Sequence, residues 1–353
     1  MQIARRLGLF LTAALILSTF PLANASGSSS DISSLPPQTA ASLAPGSDAS
    51  VLPGAIAIAD EGNNRILVIN PKGQVLWIFP QKGDLKPGQS FKTPDDIFFS
   101  GDGKSIVATE SHNKTISVID IATRKITFQY GVPGQGSSKE GHLNNPDDAM
   151  LLKDGRIMIA DIKNCRILFI NPKTSKHTQF GSPGSCAHKS GKAYASPNGS
   201  FPMPDGKFLV TEIGGDWIDA IDLTGKVYWK VHAPGVSYPS DTNQVSKDVY
   251  LTVDFKSPGQ IVEFNAKGKA LWRYKPTGSA ALDHPSLAHA LPNGDVIATD
   301  DANHRVIVVD PKTNKIVWQY GHKGIPGKDA GYISNPDGLD FLPPNSLMVL
   351  AGA

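Results

Sequence analysis

Residues 295–320 read DVIATDDANHRVIVVDPKTNKIVWQY: an apolar run, an acidic residue, a polar loop, a second apolar run, a turn and a third run with an aromatic end. Alternating apolar and polar residues predict short β-strands. The pattern occurs five more times, as AIAIADEGNNRILVINPKGQVLWIF from Ala55, SIVATESHNKTISVIDIATRKITFQY from Ser105, RIMIADIKNCRILFINPKTSKHTQF from Arg156, KFLVTEIGGDWIDAIDLTGKVYWK from Lys207 and DVYLTVDFKSPGQIVEFNAKGKALWRY from Asp248. Such self-similarity is the sequence signature of a repeat architecture.

The acidic residue of each copy sets the length of the repeat. These residues are Asp60, Glu110, Asp161, Glu212, Asp254 and Asp300, at intervals of 50, 51, 51, 42 and 46 residues. A strand that begins with Pro precedes most copies, and an Asp-Gly or Asn-Gly turn typical of hairpins closes it. Units of four short strands and this length are blades of a β-propeller. We therefore predict an all-β, six-bladed propeller of four-stranded antiparallel blades over residues 51–353.

The ring needs one more inner strand, because the first copy has none of its own. Pro336-Asp337-Gly338 follows the last full copy, and residues 336–342 can supply that strand to blade 1. Pro45 to Leu52 is the alternative, since it aligns with Pro146 to Leu152 without a gap, but it is poorer in apolar residues. We predict closure by the C-terminal strand, which leaves the tail after residue 342 without a place.

The N-terminus has the features of a targeting segment. Arg5 and Arg6 precede an apolar stretch, and Ala23-Asn24-Ala25 is a small-residue cleavage site. We predict a cleaved signal peptide over residues 1–25, a flexible linker rich in Ser, Ala, Pro and Gly over residues 26–50, and an exported protein, extracellular or periplasmic. No later run reaches the roughly 18 apolar residues of a transmembrane helix.

Charge and cysteine content limit the classes of partner. Without Arg5 and Arg6 the chain has 32 basic and 32 acidic residues, so no net field attracts nucleic acid. We expect a monomer on separate grounds, since the repeats account for one closed ring. Cys165 and Cys186 are the two cysteines of the sequence. An exported chain with two cysteines favours one disulfide, and an antiparallel hairpin would bring these two positions together.

The loops after the acidic residues resemble NHL repeats. The acidic residue, Asn and Arg of that motif are present in three copies, as Asp60, Asn63 and Arg65, as Asp161, Asn164 and Arg166, and as Asp300, Asn303 and Arg305. These side chains can bond one another and backbone amides, which predicts a structural role in the loop. Blade 4 departs from the motif, with Gly215 and Trp217 in place of the polar pair.

The last strand of each copy also resembles the quinoprotein repeat, as in DPKTNKIVWQY. We expect no quinone cofactor. The quinoprotein dehydrogenases of that family have eight-bladed rings and a pair of adjacent cysteines, whereas this sequence has six repeats and its two cysteines, Cys165 and Cys186, are not adjacent.

The inner strands supply the candidate site. Aligned on Pro, their fourth following residues are Phe98, Met150, Phe201, Asn243, His289 and Asp340, and their second are acidic in three strands. Inner strands crowd the axis, so the polar members should share a partly enclosed cavity near the mouth of the ring. The candidates for ligand binding at the channel mouth are Asp96, Asp148, Asp241, Asn243, His284, His289 and Asp340. We expect either a water cluster there or a site for one divalent cation (calcium, manganese or zinc) held by Asp241, Asn243, His289 and Asp340.

Two classes of function fit these residues. The first is a binding module that takes a protein, glycan or small ligand at the face formed by the interblade loops and the loops between second and third strands, the loop face. The second is a metal-assisted hydrolase or lyase, because six-bladed rings that resemble NHL repeats include lactonases and amidating lyases with a metal at the channel mouth. The sequence identifies no catalytic residue, and it leaves open the ligand and whether the protein is an enzyme.

Overall fold

The fold is a ring of six four-stranded antiparallel sheets, each a blade that runs outward from a central axis. The computed structural model describes residues 42–344 and Ser346. The predicted six-bladed propeller is confirmed. The predicted signal peptide, the predicted linker up to residue 41 and residues 347–353 of the tail lie outside the described residues.

Each blade contributes one inner strand and one second strand. The inner strands of blades 1 to 6 are β24 (Pro336–Phe341), β4 (Pro94–Phe99), β8 (Pro146–Leu151), β12 (Pro197–Pro202), β16 (Pro239–Ser246) and β20 (Ala288–Ala290). The second strands are β1 (Ile56–Asp60), β5 (Ser105–Glu110), β9 (Ile157–Asp161), β13 (Phe208–Glu212), β17 (Val249–Asp254) and β21 (Val296–Asp300).

The third and fourth strands complete each blade toward its outer edge. The third strands are β2 (Arg65–Ile69), β6 (Thr115–Asp120), β10 (Arg166–Ile170), β14 (Trp217–Ile221), β18 (Gln260–Phe264) and β22 (Arg305–Asp310). The outer strands are β3 (Val75–Phe79), β7 (Lys125–Gly131), β11 (His177–Gly181), β15 (Val227–His232), β19 (Ala270–Tyr274) and β23 (Lys315–Gly321). The helical segments of the described residues are five single 3-10 turns, Ala49–Val51, Glu61–Asn63, Ile162–Asn164, Gly278–Ala280 and Asp301–Asn303.

Blades are held to one another by apolar side chains on both faces of each sheet. Between blades 1 and 2, for example, Ile66 and Val68 pack with Ile97, Ile106 and Ile119, all of them buried. Burial of an aliphatic side chain of this kind stabilises a fold by roughly 1.5–3 kcal/mol. The core is therefore distributed over the junctions between blades.

The ring closes through its C-terminal strand, as predicted. β24 pairs antiparallel with β1, with Ile58 opposite Leu339 and Asp60 opposite Pro336. Blade 1 thus combines strands from the two ends of the propeller, and the contact between β24 and β21 joins blade 1 to blade 6. The rival segment around Pro45 does not enter the axis.

That segment lies instead along the outer edge of blade 6. The amide of Ala44 donates to the carbonyl of Gln319 at 3.1 Å, and the amide of Asp48 donates to the carbonyl of Val317 at 2.8 Å. Residues 42–50, for which we predict the end of a flexible linker, therefore pair with β23. Their backbone groups satisfy an edge strand that otherwise has no partner.

The predicted disulfide between Cys165 and Cys186 is confirmed, with 5.2 Å between the two Cα atoms. Cys165 follows the turn Ile162–Asn164, and Cys186 lies in the loop between blades 3 and 4. The bond therefore attaches an interblade loop to the body of blade 3. Among the described residues, no helix has the length and apolar character needed to span a membrane.

Candidate functional site

A repeated backbone device begins the inner strands. The residue before the strand-initiating Pro has a positive φ in five blades, at Thr93, Asn145, Ser196, His284 and Asn335. A β-bulge follows the Pro, so that Pro94 pairs with Glu110 while Ile97 pairs with Ala108. The same shift occurs after Pro146 and after Pro239. A bulge re-aims the side chains beside it, and here it lets both residues after Pro face the axis.

The first residue after each Pro forms a polar ring around the axis. Asn198 donates to Asp147 Oδ2 at 2.7 Å and to Ser240 Oγ at 2.9 Å. The ring continues through the hydroxyls of Ser240 and Ser286, 3.2 Å apart, and Ser286 Oγ donates to Asp337 Oδ2 at 3.1 Å. Asp95 completes it beside Asp147 and Asp337. Every blade therefore contributes one polar side chain, and three of the six are carboxyl groups.

The second residue after Pro forms a deeper layer. Asp96, Asp148 and Asp241 are 0–1 % exposed, whereas Asp95, Asp147 and Asp337 of the outer layer are 7–8 % exposed. Glycines occupy the same position in blades 1 and 4, and they leave room for the carboxylates. A Cβ atom added to Gly338 would lie 2.2 Å from Asp96 Oδ1, and one added to Gly199 would lie 2.6 Å from Asp241 Oδ1.

We call the six aspartates of these two layers the axial aspartate cluster: Asp95, Asp96, Asp147, Asp148, Asp241 and Asp337. Asp148 accepts a hydrogen bond from the amide of Ser200 at 2.6 Å. Both carboxylate oxygens of Asp96 and of Asp241 are buried, and no donor group of the described residues bonds them. Burial raises the pKa values of Asp148 and Asp241, and their carboxyl groups lie close enough to share a proton, which offsets part of this rise in pKa at Asp148 and adds to it at Asp241. Ligand atoms of Asp96, Asp147 and Asp241 lie within 4.8 Å of one another, although the three residues come from blades 2, 3 and 5.

The cluster is electrostatically unfavourable by itself. Burial, followed by the charges of Asp241 and Asp337, raises the pKa of Asp96 well above its usual range. Burial and the neighbouring aspartates likewise raise the pKa values of Asp147 and Asp241. No Lys or Arg among residues 42–344 forms an ion pair with any of the six. Buried carboxylates need a partner charge or a proton.

Burial and the negative charge of the cluster also raise the pKa values of two neighbouring residues, Glu61 and Tyr238. Burial and then the charge of Asp337 raise the pKa of Glu61 to about 7. Burial and then the charges of Asp147, Asp337 and Asp95 raise the pKa of Tyr238 to about 12. Close carboxylates with oxygen atoms free to bind are the ligand set that hard divalent cations such as calcium or manganese prefer. The arrangement can therefore hold a cation just below the loop face.

The fourth residues after Pro lie on the opposite side of the cluster. Phe98 contacts Phe201 edge to face, with 5.4 Å between ring centroids, and Phe201 contacts His289 at 6.0 Å. Because these residues come from blades 2, 4 and 6, their rings meet across the axis. They separate the aspartates from the other mouth of the channel with an aromatic layer.

Three of the residues predicted as metal ligands are engaged in this other layer. Asn243 donates to the carbonyl of Ala288 at 2.6 Å, and Asp340 accepts from the amides of Phe99 at 2.7 Å and Phe341 at 2.8 Å. Burial lowers the pKa of His289 to about 4 and raises that of Asp340 to about 7. Neither residue belongs to a group of metal-ligating atoms among the described residues. The structure therefore brings Asp241 together with Asp96 and Asp148 but not with Asn243, His289 and Asp340.

His284 lies at the loop face, outside the cluster. Its Nδ1 atom is 2.6 Å from Asp283 Oδ1, and its ring contacts Phe255 at 4.9 Å. Phe255 in turn contacts Tyr238 at 5.3 Å. The rings of His284, Phe255 and Tyr238 therefore form a continuous row at the loop face, and Tyr238 is the residue whose pKa is raised by burial and by the aspartates.

The acidic residue of the NHL-like loops clamps the interblade loops. Asp161 accepts from Asn164 and from Arg166 at 2.8 Å each, and from the backbone amide of Asn144 at 2.7 Å. Asp60 and Asp300 have the same three kinds of donor: Asn63, Arg65 and the Ser334 amide for Asp60, and Asn303, Arg305 and the Asp283 amide for Asp300. These contacts are those of a structural clamp that positions the loop face.

Comparisons with known proteins agree with this architecture. The family model described as outer membrane protein assembly factor BamB, a PQQ-type repeat model, matches residues 189–330. A search of curated proteins gave no match.

Several solved structures share the fold. A chain of a nidogen/laminin complex covers 82 % of this chain and 98 % of its own length, with 14 % identity and a TM-score of 0.58. A protein of unknown function from Bacteroides caccae covers 81 % and 98 %, with 15 % identity and a TM-score of 0.56. A virginiamycin B lyase from Staphylococcus aureus, in complex with quinupristin, covers 77 % and 84 %, with 17 % identity and a TM-score of 0.50. At these identities the likeness shows the fold alone. The ring of six four-stranded blades makes this chain a β-propeller, and over residues 189–330 its repeats are similar to those of the BamB-type, quinoprotein-like family.

Proposed function

We propose that this protein is an exported binding module that holds a divalent cation in the axial aspartate cluster and takes its ligand at the loop face. The observation that carries the proposal is the pair Asp96 and Asp241, whose four carboxylate oxygens are buried and are bonded by no donor group of the described residues. A cation between these two residues and Asp147 would supply the missing positive charge. The disulfide and the match to a BamB-type family support export.

The ligand would approach from one side only. The aspartates lie beneath the interblade loops, whereas Phe98 and Phe201 fill the axis behind them. A cation held there keeps coordination positions toward the loop face, where oxygen atoms of a peptide, glycan or small acid can complete its shell. Tyr238, Phe255 and His284 add ring surface at the rim. The cation would thus be the anchor for the ligand.

The binding test uses the cation alone. Metal-free protein is titrated with calcium and with manganese by calorimetry, beside Asp96→Asn, Asp241→Asn and Asp340→Asn. We expect one cation per chain, an affinity at least roughly 10-fold weaker in the first two variants, and unchanged affinity in Asp340→Asn, a buried axial carboxyl behind the aromatic layer. Failure of both cations to bind at millimolar concentration, or equal affinities in all variants, would overturn the proposal.

A metal-assisted hydrolase or lyase is the second candidate. The favouring observation is that carboxyl groups of raised pKa, such as Glu61 at about 7, lie beside the proposed cation site. A cation could polarise a carbonyl oxygen, and a carboxyl that is protonated near neutral pH could donate a proton to the leaving group. A panel of lactones and esters, assayed with calcium, manganese or a chelator, separates the two. Turnover that disappears in Asp241→Asn would favour the enzyme, and its absence would leave the binding module.

A further inference from the structure

Blade 4 differs from the other five blades at its acidic clamp. In every other blade the second strand ends in a carboxylate that accepts hydrogen bonds from side chains of its own blade. Those donors are Asn63 and Arg65 for Asp60, Asn113 and Ser117 for Glu110, Asn164 and Arg166 for Asp161, Gln260 for Asp254, and Asn303 and Arg305 for Asp300. The other five blades are therefore internal controls for the sixth.

In blade 4 these donors are missing and a second carboxylate is added. Gly215 and Trp217 stand where blades 1, 3 and 6 have the Asn and the Arg. Asp219, opposite Val210 in the hairpin of β13 and β14, lies on the same face as Glu212. At its position the other third strands have Leu67, Ser117, Leu168, Val262 and Ile307. A carboxylate has thus replaced a side chain that is apolar in four blades and a hydrogen-bond donor in one.

The added carboxylate has no ion-pair partner among the described residues. Asp219 is 0 % exposed, and burial raises its pKa. The Ser190 hydroxyl and the Gly191 amide lie near enough to lower that pKa, but neither completes a hydrogen bond with its oxygens. The hydroxyl of Tyr194, beside it, is also buried without a partner. Lys230 lies opposite Asp219 in the pairing of β14 with β15, and its charge also lowers the pKa of Asp219. Its Nζ atom, however, lies over Trp217, 5.1 Å from the ring centroid, and forms no ion pair with Asp219 among the described contacts. Two buried carboxylates on one face without a counter-charge require a cation or protons.

A histidine is held against the two carboxylates. His188 Nδ1 lies 2.7 Å from Glu212 Oε1, and the ring stacks on Trp217 with 4.4 Å between centroids and 12° between planes. Ser190 Oγ fixes Nε2 at 3.0 Å, and the disulfide at Cys186 anchors the loop two residues before His188. Ligand atoms of His188, Glu212 and Asp219 lie within 4.8 Å of one another. The loop thus presents an imidazole to a face that carries two carboxylates.

We propose that His188, Glu212 and Asp219 form a second cation site, for a transition metal of the zinc type. One imidazole and two carboxylates are ligands that zinc accepts, and three protein ligands leave one position for water or a bound molecule. The axial aspartate cluster has only oxygen ligands and belongs to the harder cations, so the two sites differ in metal. The replacement of the loop motif in blade 4 is then the change that converts a structural clamp into a metal site.

An alternative function for these residues is a catalytic triad. Ser190 would be the nucleophile, His188 the base and Glu212 the acid that orients it, since each contacts the next. That interpretation leaves Asp219 without a role. A metal accounts for both acids.

The test restores the residue that two other blades have. Asp219→Leu, after Leu67 and Leu168, is prepared in a background of Asp96→Asn and Asp241→Asn, so that the axial cluster does not contribute. His232→Ala in the same background is the control, because His232 contacts Trp217 with 3.7 Å between ring centroids but belongs to no group of metal-ligating atoms among the described residues. Zinc is titrated into each metal-free protein. We expect one zinc ion in the background and in the control, and an affinity weakened at least roughly 100-fold in Asp219→Leu and in His188→Ala.

X-ray absorption at the zinc edge identifies the ligands, with one imidazole and otherwise oxygen expected in the first coordination sphere. Thermal unfolding of metal-free Asp219→Leu shows that the variant folds, since removal of an unpaired buried carboxylate should raise its melting temperature. Absence of zinc binding in the background protein, or equal zinc affinity in Asp219→Leu, would disprove the site. Calcium binding by the single variant Asp219→Leu tests the axial cluster separately, so the two proposals can fail independently.

Discussion

Individual aspartates at the axis determine how the stability of this propeller depends on pH. An unpaired buried carboxyl binds its proton more tightly in the folded chain than in the unfolded chain. The folded state therefore holds more protons between the unfolded pKa of about 3.9 and the raised folded value. Stability contributed in this way is present at low pH and decreases as the pH rises.

Asp241→Asn should remove part of that dependence. Burial and neighbouring carboxyls raise the pKa of Asp241 well above its usual range, so metal-free wild type should lose stability from about pH 4 upward. Asn stays neutral, and the variant should melt several degrees higher than wild type at pH 8 but within about 1 °C of it at pH 4. Calorimetric melting curves across this range make the measurement.

Asp205→Asn is the control for the direction in which stability changes with pH. Hydrogen bonds from Lys207 lower the pKa of this exposed aspartate, so its stabilisation is present above the unfolded pKa and is lost as the pH falls. A melting temperature of Asp241→Asn that stays parallel to that of wild type at every pH would contradict the argument.

Gly338 should not tolerate a side chain. A Cβ atom there would lie 2.2 Å from Asp96 Oδ1 and 2.7 Å from Asp96 Cα, so the inner strands of blades 1 and 2 would have to separate. Overpacking of this kind typically costs about 1–3 kcal/mol. We expect Gly338→Ala to melt lower and to bind calcium more weakly, measured by melting curves and calorimetry. Gly101→Ala, with no atom within 4 Å of the added Cβ, should match wild type in both.

Among the elements, the inner strand shows where sequence reasoning succeeds and where it stops. Alternation with period two places Asp96 and Asp148 toward the axis, and the structure agrees. It does not place Asp147, which joins the site because a bulge turns two consecutive residues inward. The repeated Pro-Asp-Asp was the available signal, but a bulge depends on the register with the neighbouring strand. Period two alone cannot supply that register.

The fold could be predicted from the sequence because one pattern occurs six times and every copy predicts the same strands. The ligand set proposed above could not be predicted from the sequence, because it depends on side chains from blades 2, 3 and 5 meeting across the axis. Asn243, His289 and Asp340 illustrate the difficulty. Their alignment on the Pro correctly places them together near the axis, yet backbone groups and aromatic rings of adjacent strands engage them there.

Residues 42–50, before blade 1, are ordered against β23, although their Ser-, Ala-, Pro- and Gly-rich composition predicts a flexible linker. Leu43 bridges to Tyr320 of β23 and contacts Gly73 in the turn of blade 1, so it spans the junction where the ring closes. A chain that starts at residue 50 instead of residue 42 should therefore lose roughly 1–3 kcal/mol of stability. Denaturant unfolding of the two chains measures this difference. Leu43→Ser should reproduce most of the loss, and equal midpoints for all three would show that the segment does not strengthen the closure.

At the scale of the whole molecule, the ring gathers carboxylates that are far apart in sequence and closes one end of the space around them. Asp95 and Asp337 are 242 residues apart in the chain (337 − 95), yet burial and the charge of Asp337 together raise the pKa of Asp95. Phe98 and Phe201 pack against each other behind the aspartates. The consequence is a buried group of carboxyls without a positive partner among the described residues, where protons and the proposed cation would compete for the same oxygen atoms.

That competition gives a prediction for the intact protein. Burial and mutual repulsion raise the pKa values of Asp96, Asp147 and Asp241. We therefore expect part of the cluster to carry protons in metal-free protein near pH 7. A divalent cation favours the carboxylate forms, so binding should release protons and its affinity should increase with pH. Calcium titrations at pH 7 in PIPES, HEPES and Tris, whose ionisation enthalpies differ, should give observed heats that change linearly with that enthalpy, with a slope that corresponds to release. Asp147→Asn should reduce the slope, whereas Asp205→Asn should leave it unchanged. Identical heats in the three buffers would mean that the cluster is fully ionised before the cation arrives.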